Sequence, residues 1–224
     1  MIQIKCNAVI FDLDGVLIDS SVCIELHWQQ WAEKHNLDLN KIMEVAHGRP
    51  TIETMRLIAP HLPTKEEAAQ FEAAEALDTA GVVVIEGAAP LLNSLPTESW
   101  AIATSGTYVV ATARLRHTKL PVPRILVTAD DVTHGKPNPE PYLLAAKRLG
   151  LSPAECIVFE DAPAGIEAAK SAGMRVIAIA STHSQDQLTM ADSIIERLVD
   201  IKITNSEDDY QLGVQLNRLK EGCK

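Results

Sequence analysis

The chain has 224 residues, 46% of them hydrophobic, and a formal net charge of −10. That length allows one large domain or two small ones around an ample, mainly aliphatic core. The acidic balance argues against a nucleic-acid or anionic-membrane partner, both of which want a basic face. Cys6, Cys23, Cys156 and Cys223 form no Cys-x-x-Cys pair, and neither a secretory signal nor a long apolar span is seen, so the expected home is a reducing cytoplasm.

The first apolar run, residues 8–11, is short, rich in branched and aromatic residues, and gives out at Gly15. It reads as a buried strand, and the carboxyl ends of such strands are where open α/β sheets bind ligands. Asp12 and Asp14 follow it two residues apart, which on an extended segment turns both side chains toward one pocket. Two such carboxylates oppose each other's ionisation unless a cation or a proton separates them, and Mg²⁺ is a natural mate. Either acid would equally serve as a helix cap.

Residues 22–31, 37–46, 52–58 and 64–80 carry helical spacing, the last opening with Thr64 and Glu67 in capping-box positions. After the first strand no other is expected up to residue 80. This helical block interrupts the chain just after the first strand, so 18–84 reads as an insertion, 82–87 as its return hinge, and 1–17 with 85–224 as the other domain. From there strands at 100–104, 125–128, 156–160 and 176–180 alternate with helices at 88–95, 107–118, 139–149 and 164–172. The third of these helices has Pro139 at its start and Gly150 at its end, the usual asymmetry. Alternation of this kind predicts an α/β fold, a Rossmann-like parallel sheet covered on both faces. The tail reads as a strand at 201–204, a polar turn at 205–209 and a last helix at 212–219.

Three further strand ends carry chemistry. Residues 101–103 run into Thr104-Ser105-Gly106, a hydroxyl pair ahead of a helix, suited to an anion and equally suited to plain capping. Lys136 is followed by Pro137 and, two residues later, Pro139, which stiffens the backbone about one cation and favours phosphate neutralisation over a solvated surface role. Glu160 and Asp161 end an apolar strand and offer a second source of oxygen ligands, or a cap.

With all four motifs in order from residue 8 to about 180, the sequence resembles the haloacid dehalogenase-like hydrolases, and among them the phosphatases with a small helical cap inserted after the first strand. The stretches WAIATSGT, GKPNPEPYL and FEDAPAGI look closest to sugar-phosphate and polyol-phosphate phosphatases. The resemblance implies that Asp12 is the nucleophile that becomes an aspartyl-phosphate, and that Asp14 protonates the departing alkoxide and then takes a proton from water. It also implies phosphoryl binding by Thr104 and the Ser105 amide and charge neutralisation by Lys136. Mg²⁺ would be held by Asp12, the backbone carbonyl of Asp14, Asp161 and Glu160, the last directly or through water. The cap would choose the substrate, a small phosphorylated metabolite, through Gly48 and Arg49, with Asp19 as a further binding position. His27, Trp28 and Trp31 read as cap core and cap rim and not as ligands, since helical spacing alone explains them. The residues say nothing of oligomeric state; small-cap relatives are often monomers, so a monomer is expected.

Two departures matter. Val16 stands where many of these phosphatases have threonine, and valine there also occurs in β-phosphoglucomutases, which makes a phosphosugar mutase the alternative. Those mutases carry a histidine five residues after the acid matching Asp19, and here that position is Ile24, which favours hydrolysis. A catalytically silent sugar-phosphate sensor on the same fold is the third reading.

Overall fold

The computed structural model describes residues 2–62, 64–205 and 212–216. The chain opens with β1 (Ile2–Cys6), β2 (Ala8–Phe11) and β3 (Ile18–Asp19). Four helices follow, α1 (Ser21–His35), α2 (Leu39–Ala46), α3 (Thr51–Ile58) and α4 (Thr64–Leu77), and β4 (Val83–Val84) closes the segment. Next come α5 (Ala88–Ser94), β5 (Trp100–Ala103), α6 (Tyr108–Thr118), β6 (Leu126–Val127) and α7 (Glu140–Leu149). The last elements are β7 (Cys156–Glu160), α8 (Pro163–Ser171), β8 (Arg175–Ile179), β9 (Ser193–Ile195), β10 (Ile201–Asn205) and β11 (Leu212–Leu216).

Six of these strands form a parallel sheet in the order β6-β5-β2-β7-β8-β9. Strand β2 is buried along its whole length; Val9 and Phe11 enter one apolar core, while Ala8 and Ile10 enter the other. Helices cover both faces, as a sheet that is apolar on both sides requires. Register then sets the active end: Phe11 pairs with Ile102 of β5 and with Phe159 of β7. Asp12, Thr104 and the Glu160-Asp161 pair therefore leave three neighbouring strands at the same level.

The helical segment has its own core, in which Trp28 lies 4.5 Å from Phe71 and 5.4 Å from Trp31, centroid to centroid, over Ile42 and Met55. The two chain crossings to it run side by side, because β3 and β4 pair antiparallel, Ile18 with Val84 and Asp19 with Val83. The expected return hinge thus contains a short strand, and β1 and β3 are strands before residue 80 beyond the one expected. In β1 the missed signal is period-two alternation, Ile2-Gln3-Ile4-Lys5-Cys6.

At the start of α4 the Thr64 side chain, and with it the expected capping box, lies outside the described residues; the Glu67 carboxylate accepts from Trp31 Nε1 at 3.1 Å and Lys34 Nζ at 2.9 Å and pairs with His35 Nε2 at 3.0 Å. The expected last helix is overturned over 212–216; its positions 217–219 lie outside the described residues. Residues 212–216 form β11, sandwiched antiparallel between β1 and β10. Leu212, Val214 and Leu216 recur at intervals of two and are buried, and at Gly213 a Cβ would sit 2.6 Å from Thr204 Oγ1, so any larger residue there would have to displace that hydroxyl. Of the polar turn expected at 205–209, positions 206–209 lie outside the described residues.

Candidate active site

At the carboxyl end of β2 the Asp12 backbone N–H donates to Phe159 O, which locks the residue onto β7. Its side chain is buried, and Oδ1 accepts a 2.6 Å bond from Lys136 Nζ. The same ammonium donates to Glu160 Oε1 at 2.7 Å and lies 5.0 Å from the centre of the Tyr142 ring. Lys136 is fully buried, held where Pro137 and Pro139 stiffen the chain. Burial works against the ammonium, but Asp12 and Glu160 more than offset it and keep Lys136 protonated above the ordinary lysine range.

The carboxylates are pushed the other way. Burial lifts the Asp12 carboxyl to about 7, an effect that Lys136 offsets only in part. Burial, then the charges of Glu160 and Asp12, hold Asp161 well above the usual carboxylate range. Asp12, Glu160 and Asp161 each bring a carboxylate oxygen within 4.8 Å of the other two. Three buried acids about one ammonium leave negative charge uncompensated, and this all-oxygen donor set fits a hard divalent cation.

The three acids are not equivalent. Glu160 Oε1 accepts from Lys136 and from Tyr142 Oη at 2.8 Å, and Oε2 accepts from the backbone N–H groups of Asp161 and Ala162. With both oxygens so engaged, Glu160 fixes the lysine, and Asp12 and Asp161 are the better placed pair for a cation. Two glycines make room: a Cβ on Gly165 would lie 1.7 Å from Glu160 Oε1, and one on Gly15, at φ +80°, would lie 2.1 Å from Asp161 Oδ2. Asp161 also accepts from the Thr182 hydroxyl, a partner that sequence reasoning missed.

Asp14 lines the same pocket as Asp12, and its Oδ1 accepts from Ser20 Oγ at 2.6 Å and from Arg114 Nη1 at 2.8 Å. Thr104, Ser105 and Gly106 close one side, with Gly106 N–H donating to Thr104 Oγ1 at 3.1 Å. The helical segment closes the other. Ser105 Oγ donates to Gly48 O at 2.8 Å, and a Cβ on Gly48 would meet Ala162 Cβ at 2.8 Å, so this turn at φ +73° needs glycine to touch two motifs at once. Arg49 lines the pocket with Ser20, Ser21, Ile24, Trp28 and Thr51. Glu53 adds a further tie, accepting from Gly135 N–H at 2.9 Å.

Asp19 stands apart from this group. It is exposed, its Oδ1 accepts from Ser21 N–H at 3.0 Å at the entry to α1, and it borders a second cavity with Glu86 and Arg197. Val16 is fully buried and outside the pocket. His27 bonds Cys23 O at 2.8 Å inside the helical segment, and Trp28 and Trp31 are core there, as expected, with Trp28 also reaching the pocket. Arg114, Glu75 and Tyr142 were missed. A signal existed for two: Arg114 follows the buried Val110 and Ala111 at helical spacing, and Glu75 follows Ala68 and Phe71 in the same way.

Set beside known proteins, the chain matches the haloacid dehalogenase-like hydrolase family over residues 9–179, and it belongs to that family. It is 39% identical to hexitol phosphatase A of Escherichia coli over 205 residues, 89% of this chain and 95% of that one. It is 36% identical to glycerol-1-phosphate phosphohydrolase 2 of Saccharomyces cerevisiae over 221 residues, 92% of this chain and 85% of the other. Among solved structures, a hydrolase from Pseudomonas syringae superposes with a TM-score of 0.76 at 29% identity, covering 86% of this chain and 94% of that one.

Proposed function

We propose that this protein is a Mg²⁺-dependent phosphomonoester hydrolase acting on small sugar or polyol phosphates, with residues 18–84 as the cap over the site. The observation that carries the reading is the meeting of Asp12, Lys136 and Asp161 in one buried cluster open to a pocket between the two parts. The names of its relatives supply the substrate class. Free buried thiols at Cys6, Cys23 and Cys156 suit the reducing cytoplasm, and among the described residues no helix is long and apolar enough to cross a membrane.

Among the described residues only Oδ1 of Asp12 takes a hydrogen bond, so Oδ2 is free to attack phosphorus. That attack forms an O–P bond, breaks the bond to the ester oxygen, and leaves an aspartyl-phosphate. Asp14 gives its proton to the departing alkoxide. In the second half it takes a proton from the water that attacks phosphorus, and phosphate leaves with Asp12 restored. Lys136, Thr104 and the Ser105 backbone offset and orient charge on the phosphoryl oxygens, which is most of what a loose phosphoryl-transfer transition state asks. Mg²⁺ held by Asp12, Asp161 and the Asp14 carbonyl would add charge neutralisation at the phosphoryl oxygens.

The test is a screen of hexitol, glycerol and sugar phosphates for phosphate release, with and without excess chelator. Turnover that is ranked by the alcohol and lost with chelator is expected. Full activity in chelator contradicts the metal, and conversion of glucose 1-phosphate to glucose 6-phosphate in place of free phosphate identifies a mutase. An Asp12→Asn variant that hydrolyses p-nitrophenyl phosphate as fast as the wild type contradicts the nucleophile.

A further inference from the structure

Arg114 is the second buried cation of the site, and the mechanism above gives it no part. It lies on α6 with 3% exposure; Nη1 donates to Asp14 Oδ1 at 2.8 Å, and Nη2 donates to Glu75 Oε1 at 2.9 Å. Glu75 belongs to α4, in the helical segment. The guanidinium thus bridges the acid–base residue to the cap across the seam of the pocket that all three line. Its Nε is buried without a partner, so the group is held for its two carboxylates and not for a saturated network.

Geometry limits what this bridge can do. Ser20 and Arg114 both donate to Oδ1 of Asp14, and among the described residues no hydrogen bond is made to Oδ2. Two donors on one oxygen fix the plane of the carboxyl group and leave the other oxygen of this pocket-lining residue for the reaction. A planar guanidinium holds such an orientation better than an ammonium would. Glu75 decides when that grip is available: a buried guanidinium with one of its two partners withdrawn is costly, so the arrangement is complete only with α4 seated against α6.

We propose that Arg114 is the positioning residue of Asp14, and that Glu75 makes this positioning conditional on the cap being seated. The inference rests on the reading of Asp14 as the proton donor to the leaving oxygen. Two kinds of ester separate the roles, because an alkoxide such as that of glycerol phosphate needs a proton on departure and p-nitrophenolate does not. The ratio kcat/KM reports steps up to the departure of the alcohol. Arg114→Met should lower it about 10²-fold for glycerol phosphate, the lower range of a general-acid contribution, and at least tenfold less for p-nitrophenyl phosphate. Arg114→Lys should restore part of the loss. Glu75→Gln, which keeps shape and is the milder change if Arg114→Met does not fold, should show the same alkyl-selective loss at about tenfold.

Asp14→Asn is the control. If it discriminates between the esters and the Arg114 and Glu75 variants lower both esters equally or neither, the proposal is wrong. If Asp14→Asn itself fails to discriminate, the reading of Asp14 is what falls.

Discussion

The site contains two buried cations beside two aspartates that stand two residues apart, and they are built differently. Lys136 joins Asp12 to Glu160, and all three belong to the α/β part, Asp12 and Glu160 at the carboxyl ends of neighbouring strands and Lys136 on the loop before α7. Arg114 joins Asp14 to Glu75, and its partners belong to separate layers, one at the end of β2 and one on α4. The neighbourhood of Asp12, the proposed nucleophile, is thus fixed by strand register, whereas that of Asp14, the proposed acid, depends on how the helical segment sits. A reaction whose first half needs a proton delivered beneath a cover, and whose second half needs water at the same oxygen, suits that division.

The comparison breaks most visibly at Lys136. Lys136→Met leaves Asp12 and Glu160 buried without their cation, and loss of one partner of a buried pair costs about 3–5 kcal/mol. Thermal unfolding should show a large fall in Tm together with loss of phosphate release; a variant of normal stability would mean the cluster is not electrostatically strained. Tyr142→Phe is smaller. It removes one of the donors to Glu160 Oε1, and an acceptor that keeps its other bonds loses about 1 kcal/mol, so a fall in Tm of about 2–4 °C is expected for a chain of this size.

An effect of similar size, seen only at one end of the pH range, tests the seam between α4 and its neighbours. Burial, then the charges of Glu75 and Asp130, raise the Glu72 carboxyl from 4.5 to about 7. A carboxyl whose folded pKa lies above its unfolded one favours folding while protonated, so that contribution is full below about 4.5 and is lost as pH rises to about 7. Glu72→Gln should match the wild type near pH 4 and exceed it in Tm by about 2–4 °C at pH 8. An equal Tm at both pH values would show Glu72 to be solvated.

The same division decides what was legible in the sequence. Asp12, Thr104, Lys136 and Asp161 were found because each follows a strand or is framed by prolines, and parallel register brings strand ends together without further information. Glu160 was visible as an acid but not as the anchor of Lys136, since its four donors come from α7, the lysine loop and its own two successors. Arg114 and Glu75 are 39 residues apart and carry no motif; a charge on the buried stripe of each helix was the available sign. Residues 212–216 were misread because a leucine- and valine-rich stretch this short suits both periods, and one of its two partners, β1, lies at the other end of the chain. Asp19 was carried over from the resemblance, and its carboxylate accepts from Ser21 N–H at the entry to α1.

The account stands on transient phosphorylation of one side chain. Rapid acid quench during turnover of a polyol phosphate, followed by mass spectrometry of the proteolytic peptides, reads it directly. The peptide containing Asp12 should carry one added phosphoryl group, lost on treatment with hydroxylamine. Turnover at the full rate with that peptide unmodified, or with the phosphoryl group on another residue, would contradict it.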